Sequence, residues 1–277
     1  MSYGKTETKS KPAKPAAGPV RNRIKRRLAA GEKLLGAWVF TGAPVICEIY
    51  ALAGYDIVLI DTEHTPLDVK DVLECVRAVE AGGGDAMVRV PGHDFSHFKR
   101  LLDAGIHSFM VPMVDTVEQA KAIINACLYP PRGRRGFAAT ASRSGLYGFH
   151  ENYADVAHEE TFLALQVESG VAARDAGKIA ALDGADCLFI GPNDLAGSLG
   201  KLGQLADPEV LKTIDKAAAA ILKAGKLTGI IPTPTRDASD MAARGFSIVI
   251  GECDVPTLKA GALADLARHR KAFPGRA

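Results

Sequence analysis

No apolar run in the 277-residue sequence approaches the roughly 20 consecutive residues needed to cross a bilayer, so a membrane-spanning or secreted product is not expected. Cysteine is sparse and unsuited to crosslinking. Its five copies, Cys47, Cys75, Cys127, Cys187 and Cys253, are odd in number, lie mostly inside apolar segments and form no C-x-x-C pair. They read as reduced, buried thiols of a cytoplasmic protein, with neither a disulfide frame nor a zinc site. The glycine-rich fingerprints G-x-G-x-x-G and G-x-x-x-x-G-K-[ST] are missing, which removes support for nucleotide binding. There is no G-x-S-x-G elbow and no cysteine at an expected strand end, so covalent acyl chemistry has no nucleophile. No expected strand ends in lysine, which disfavours imine chemistry.

What is present is a chain of 47% hydrophobic and 24% charged residues, enough for one large core and near the usual size of an eight-unit α/β barrel. The net charge of +2 is unevenly spread. Through Ala30 there are nine Lys or Arg against the single Glu7, while the remainder carries 25 basic and 31 acidic residues. Residues 1–21, rich in Lys, Pro and Ala, lack the apolar surface to order themselves and are expected to be a disordered basic tail. A nucleic-acid-binding scaffold using that tail is a reading of another class; a merely solubilising tail is favoured over it.

From residue 22 onward the sequence reads as one domain. Short apolar segments at 34–40, 56–61, 85–90, 108–114, 162–168, 186–194, 227–232 and 246–250 alternate with helix-like stretches, and Thr116 with Gln119 makes a capping box. Without hairpin signals, eight strand-helix pairs predict a closed (β/α)8 TIM barrel. A long segment, 129–160, breaks the rhythm and is expected to cover the site.

In such a barrel the carboxyl ends of the strands build the site. Those ends carry Trp38, Asp61 with Glu63 and His64, Arg89, Asp115, Gln166 with Glu168, and Asp194. Glu168 and Asp194 end consecutive segments and should emerge side by side, where a hard dication held by two carboxylates is the economical partner. Alternatively, each acid caps the helix that follows it. Asp61 and His64 are spaced so that a carboxylate can orient an imidazole for proton transfer, or so that Asp61 caps its own turn. Arg89 must face an anion, either a neighbouring acid or a substrate. His93, His97, His107, His150, His158 and His269 show no metal-ligand spacing.

The stretches Gly54 to His64, Val88 to Pro91, Val111 to Thr116, Tyr129 to Gly136, Gln166 to Ser169 and Ile190 to Gly200 resemble, in order, the motifs of the HpcH/HpaI aldolase family of metal-dependent class II pyruvate aldolases. The resemblance implies a (β/α)8 barrel that binds Mg²⁺, Mn²⁺ or Co²⁺ through Glu168 and Asp194. It implies that the amides around Gly191, Pro192, Asn193 and Asp194 receive the substrate carboxylate, with Arg89 stabilising an enolate and His64 with Asp61 moving the proton; Trp38 and Gln166, read from the strand ends, complete the expected substrate pocket. The implied partners are a 2-oxoacid and an aldehyde, and the implied assembly is a homohexamer with the last helix exchanged between subunits. An oxaloacetate decarboxylase or a macrophomate-synthase-like enzyme would use the same site. Gly136 to Thr140, Thr233 to Thr235 and Gly251 to Cys253 carry no family signature and lie where the aldehyde is chosen.

Overall fold

Asn22 begins the folded chain: its side chain caps helix α1 (Arg23–Ala29) and also donates to Ser108 Oγ at 2.8 Å and Glu160 O at 3.0 Å. Strand and helix then alternate through β1 (Leu34–Val39), α2 (Pro44–Ala53), β2 (Ile57–Asp61), α3 (Val69–Ala81), β3 (Asp85–Arg89), α4 (Phe95–Asp103), β4 (Ser108–Val111) and α5 (Val117–Cys127). After a long connection holding the short helix α6 (Tyr153–Val156) come β5 (Phe162–Val167), α7 (Gly170–Ala180), β6 (Cys187–Ile190), α8 (Pro192–Ser198) and α9 (Pro208–Lys223). The chain closes with β7 (Leu227–Ile230), α10 (Ala238–Ala243), β8 (Ile248–Cys253) and α11 (Asp254–His269). This computed structural model describes residues 21–273 and 275, so the expected disordered tail lies, but for Arg21, outside the described residues. No described helix is long and apolar enough to cross a membrane.

Each strand pairs in parallel with its sequence neighbours, and β8 closes the ring against β1, as the spacing predicts. The two-residue period of a strand splits the apolar residues into two cores. Trp38, Leu59, Met87, Met110, Phe162, Phe189 and Ile250 fill the barrel, while Val58, Ile60, Val88, Leu165 and Ile190 pack with the helices. Each such side chain contributes about 1.5–3 kcal/mol on burial. Gly229 is required by this packing, since a Cβ there would overlap the Phe189 ring. Ile24 and Leu28 of α1 join the inner core and close the amino-terminal mouth.

The same alternation turns Trp38, Asp61, Arg89 and Gln166 inward at the other mouth, with Asp61 opposite Arg89 in register. Some bounds differ from expectation. The fourth strand stops at Val111, where Pro112 has no N–H and Met113 takes φ 52°. The sixth stops at Ile190 because Pro192 starts α8, so Asp194 belongs to the first turn of a helix and not to a strand. The eighth runs on past Gly251 to Cys253.

The segment 129–160 does not cover the site. It joins the end of α5 to the start of β5 and therefore lies at the amino-terminal mouth, opposite the strand ends. Arg135 anchors it there, 4.4 Å over the Tyr129 ring and bonded to Tyr153 Oη at 3.2 Å and Asp103 at 3.3 Å. Length alone suggested function; the parity of a connection within the strand-helix alternation decides its face.

Candidate active site

Arg89 is the centre of the carboxyl-terminal mouth. Its Nε donates to Asp61 Oδ1 at 2.5 Å, and its Nη1 lies 2.8 Å from Glu63 Oε2, an ion pair that falls outside hydrogen-bond geometry. The guanidinium also stacks 4.6 Å from the Trp38 ring centroid. Two acids and an aromatic face thus fix the fork of a buried cation.

Glu168 stands beyond the end of β5 and is buried. Its Oε1 accepts from Gln166 Nε2 at 2.7 Å and its Oε2 from the Met113 N–H at 2.9 Å. Neither donor carries charge. Burial pushes the Glu168 carboxyl up to about 7, against the Met113 hydrogen bond, and the charges of Glu63 and Asp194 push the same way. Gly191 leaves the space this carboxylate needs.

Glu168 and Asp194 open onto one cavity of about 250 Å³, which Trp38, His64, Arg89, Gly191 and Asn193 also line. The neighbouring acids expected from consecutive segments therefore share one mouth. Gln166 is buried beneath them and acts on the cavity through Glu168, with its Oε1 left without a partner. Pro192 does not line the cavity. Its role is local, setting the first turn of α8. Asp115 is held by Ser169 Oγ and stands outside the cavity lining.

The expected contact between Asp61 and the His64 ring is absent. Asp61 accepts the His64 main-chain N–H at 3.1 Å and the Glu63 N–H at 3.3 Å, capping its own turn, while the exposed ring has its Nε2 3.7 Å from Glu63 Oε2. Arginine competes better for the buried carboxylate than a solvated imidazole does.

Two lining residues, Phe40 and Ile231, were not among the expected site, while Gly251 and Cys253 come from the stretch expected at the aldehyde end. Cys253 is the last residue of β8, which runs past its expected end. Burial, together with the adjacent Asp254, raises its thiol pKa, which leaves it neutral and a poor nucleophile.

No group of three or more His, Cys, Asp or Glu that could cage a metal occurs among the described residues. Two carboxylates without a countercharge in direct contact among the described residues, each oxygen of Glu168 with a lone pair to spare, nevertheless suit a hard cation that keeps open positions for water and substrate oxygens.

A family model described as HpcH/HpaI aldolase/citrate lyase matches residues 34–258. The hydroxypyruvate/pyruvate aldolase of Agrobacterium fabrum is 40% identical over 210 residues, covering 76% of this chain and 79% of that protein. The 4-hydroxy-2-oxovalerate aldolase of Novosphingobium aromaticivorans is 39% identical over 251 residues, 90% of this chain and 95% of its own. A crystal structure of an HpcH/HpaI aldolase/citrate lyase family protein from Burkholderia cenocepacia superposes with a TM-score of 0.85 at 34% identity, covering 90% of this chain and 99% of that one.

Proposed function

Since the chain belongs to the HpcH/HpaI aldolase/citrate lyase family, we propose that it is a carbon–carbon lyase of the divalent-metal-dependent pyruvate aldolase type, cleaving or forming 4-hydroxy-2-oxoacids. The observation that carries the reading is the pairing of Glu168 with Asp194 on the cavity that also exposes Arg89 and His64. Glu168 and Asp194 would hold Mg²⁺, Mn²⁺ or Co²⁺. Bound there, the cation would polarise the keto group and offset negative charge developing on its oxygen.

The chain's own residues supply the rest. Cleavage breaks the bond between C3 and C4, sends its electron pair toward the keto oxygen as an enolate, and frees the C4 oxygen as an aldehyde. Arg89, already oriented by Asp61, Glu63 and Trp38, presents a fixed positive charge to the enolate without having to reorganise. His64 takes the proton of the 4-hydroxyl, a contribution of about 10²- to 10⁴-fold. The substrate carboxylate is received at the start of α8, but not by Gly191, whose N–H is given to Val167 O at 3.1 Å, nor by Pro192, which has none. The N–H groups of Asn193 and Asp194 remain for it. Trp38, Phe40, Ile231 and Cys253 give the cavity an apolar wall beside the polar groups.

The assembly belongs to the same proposal. Within its own barrel α11 buries only Asp254, while Leu258, Leu263 and Leu266 stand 64%, 56% and 48% exposed. Exchange of this helix between subunits of a homohexamer would cover them.

The test is a screen of 4-hydroxy-2-oxoacids with Mn²⁺ or Mg²⁺, following pyruvate and aldehyde. Turnover that vanishes with a chelator and in Glu168→Ala, with the fold retained, is the expected result. Activity surviving metal removal would refute it, and carbon dioxide release from oxaloacetate without any aldehyde product would replace aldolase by decarboxylase.

A further inference from the structure

Asp254 is the first residue of α11 and the one that this helix buries. Its Oδ1 accepts the Phe40 N–H at 3.0 Å and the Val255 N–H at 2.9 Å, and its Oδ2 accepts the Thr41 N–H at 2.9 Å and the Thr41 hydroxyl at 2.6 Å. All four donors are neutral. Burial alone raises the pKa of this carboxyl, but the hydrogen bonds from Phe40, Thr41 and Val255 lower it, so the group stays ionised at neutral pH. Only the Val255 bond is local to α11. The other three reach across the seam where the barrel closes.

That seam is irregular. β8 pairs with β1 as far as Trp38 and Cys253, with a register shift between Gly36 and Ala37, and then turns into α11. The N–H groups of Phe40 and Thr41 therefore have no β8 backbone to bond to and need acceptors from elsewhere. The Asp254 carboxylate takes the place of the missing strand. What it fixes is a wall of the cavity, because Trp38, Phe40 and Cys253 all line it. Phe40 is held by its own N–H, Cys253 immediately precedes Asp254, and Trp38 is two residues before Phe40 with its Nε1 on Ile250 O at 3.2 Å. The Trp38 and Phe40 rings are 5.9 Å apart and lie 4.6 Å and 6.0 Å from the Arg89 guanidinium.

We propose that Asp254 is a positioning residue, whose carboxylate stands in for strand backbone at the β1–β8 seam and so holds the Trp38 and Phe40 wall against which the substrate binds. It touches neither the substrate nor the reacting atoms. The use of the wall in substrate binding rests on the pyruvate aldolase reading above; its placement by Asp254 does not.

Asp254→Asn in the full chain tests it. The amide keeps the size of the side chain but turns one acceptor into a donor, which faces N–H groups it cannot receive. Trp38 is the single tryptophan of the chain, so its emission and its quenching by acrylamide report on the wall with or without turnover. The expected result is emission at longer wavelength and readier quenching than in wild type, with KM for 4-hydroxy-2-oxovalerate under Mn²⁺ raised about tenfold and kcat changed less than about threefold. Unchanged emission, or a shift that leaves KM unchanged, would overturn the proposal. Leu258→Glu with Leu266→Glu is the control for assembly, since it leaves Asp254 in place. An emission shift there equal to that of Asp254→Asn would assign the wall to subunit contacts and overturn the proposal as well. Should Asp254→Asn fail to fold, Thr41→Val removes the hydroxyl donor while keeping the N–H, and is read by the same criteria. A wild-type chain without turnover would overturn the aldolase reading, and the fluorescence would still decide whether Asp254 holds the wall.

Discussion

Glu168 occupies the volume that a side chain at Gly191 would need: a Cβ built there overlaps Oε1 and falls 2.8 Å from Cγ and 3.0 Å from Cδ of the glutamate. The carboxylate is therefore set by the backbone of the next strand's end, besides its bonds from Gln166 and Met113. Gly191→Ala should displace it while leaving the barrel folded. Expected losses are about 10- to 100-fold in metal affinity and turnover, the range for disturbed support of a ligand. Calorimetric Mn²⁺ binding unchanged from wild type would show that Glu168 tolerates the intrusion.

The same carboxylate would set a pH window for the proposed cation. Burial holds the Glu168 proton up to about 7, so below that pH the metal must displace it. Apparent affinity should fall about tenfold per pH unit below 7 and level off above it, with protons released on binding. Titration calorimetry between pH 5.5 and 8 measures this, and a flat profile would mean that Glu168 is not the ligand.

The barrel was legible because its signal is repeated eight times, each apolar segment bounded by glycine, proline or a cap. So were Trp38, Arg89, Glu168 and Asp194, since the carboxyl end of a barrel strand is a position that sequence order identifies. What escaped depended on side-chain competition or on bounds. Asp61 and His64 have the spacing of a dyad, but spacing does not reveal that Arg89 claims the carboxylate first. The eighth strand runs past its expected end to Cys253, and 129–160 was given to the wrong mouth because its length outweighed its place in the alternation.

At that amino-terminal mouth, His107 should govern acid stability. Its ring nitrogen Nε2 lies 3.0 Å from Tyr153 Oη, and desolvation, with Arg135 and Arg143 nearby, pushes its pKa down to about 4. An unfolded histidine titrates near 6.5, so between 6.5 and 4 the unfolded chain binds a proton that the folded chain refuses. The contribution is complete above 6.5 and is lost as the pH falls toward 4. It amounts to at most about 3 kcal/mol, and less to the extent that this half-buried residue stays in touch with solvent. His107→Gln retains a partner for Tyr153 without titrating. Urea unfolding at pH 5 and pH 7 should show a smaller stability difference in this variant than in wild type; an equal difference would assign the acid sensitivity elsewhere.

The proposed exchange of α11 makes the last prediction. Leu258 and Leu266 lie eight residues apart on a helix that buries only its first residue against its own barrel, so their apolar area has no covering partner among the described residues of one chain. A charge on such a surface costs little in a free helix and several kcal/mol in a dry interface, where it would be buried unpaired. Leu258→Glu with Leu266→Glu should therefore leave the barrel's secondary structure intact while converting the assembly to smaller species. Sedimentation or light scattering across a concentration series reads the mass. Should the variant keep the wild-type mass, α11 would lie on the outside of the assembly, and the subunit contacts would have to be sought on another face, such as the Val45, Ile49 and Leu52 stripe of α2.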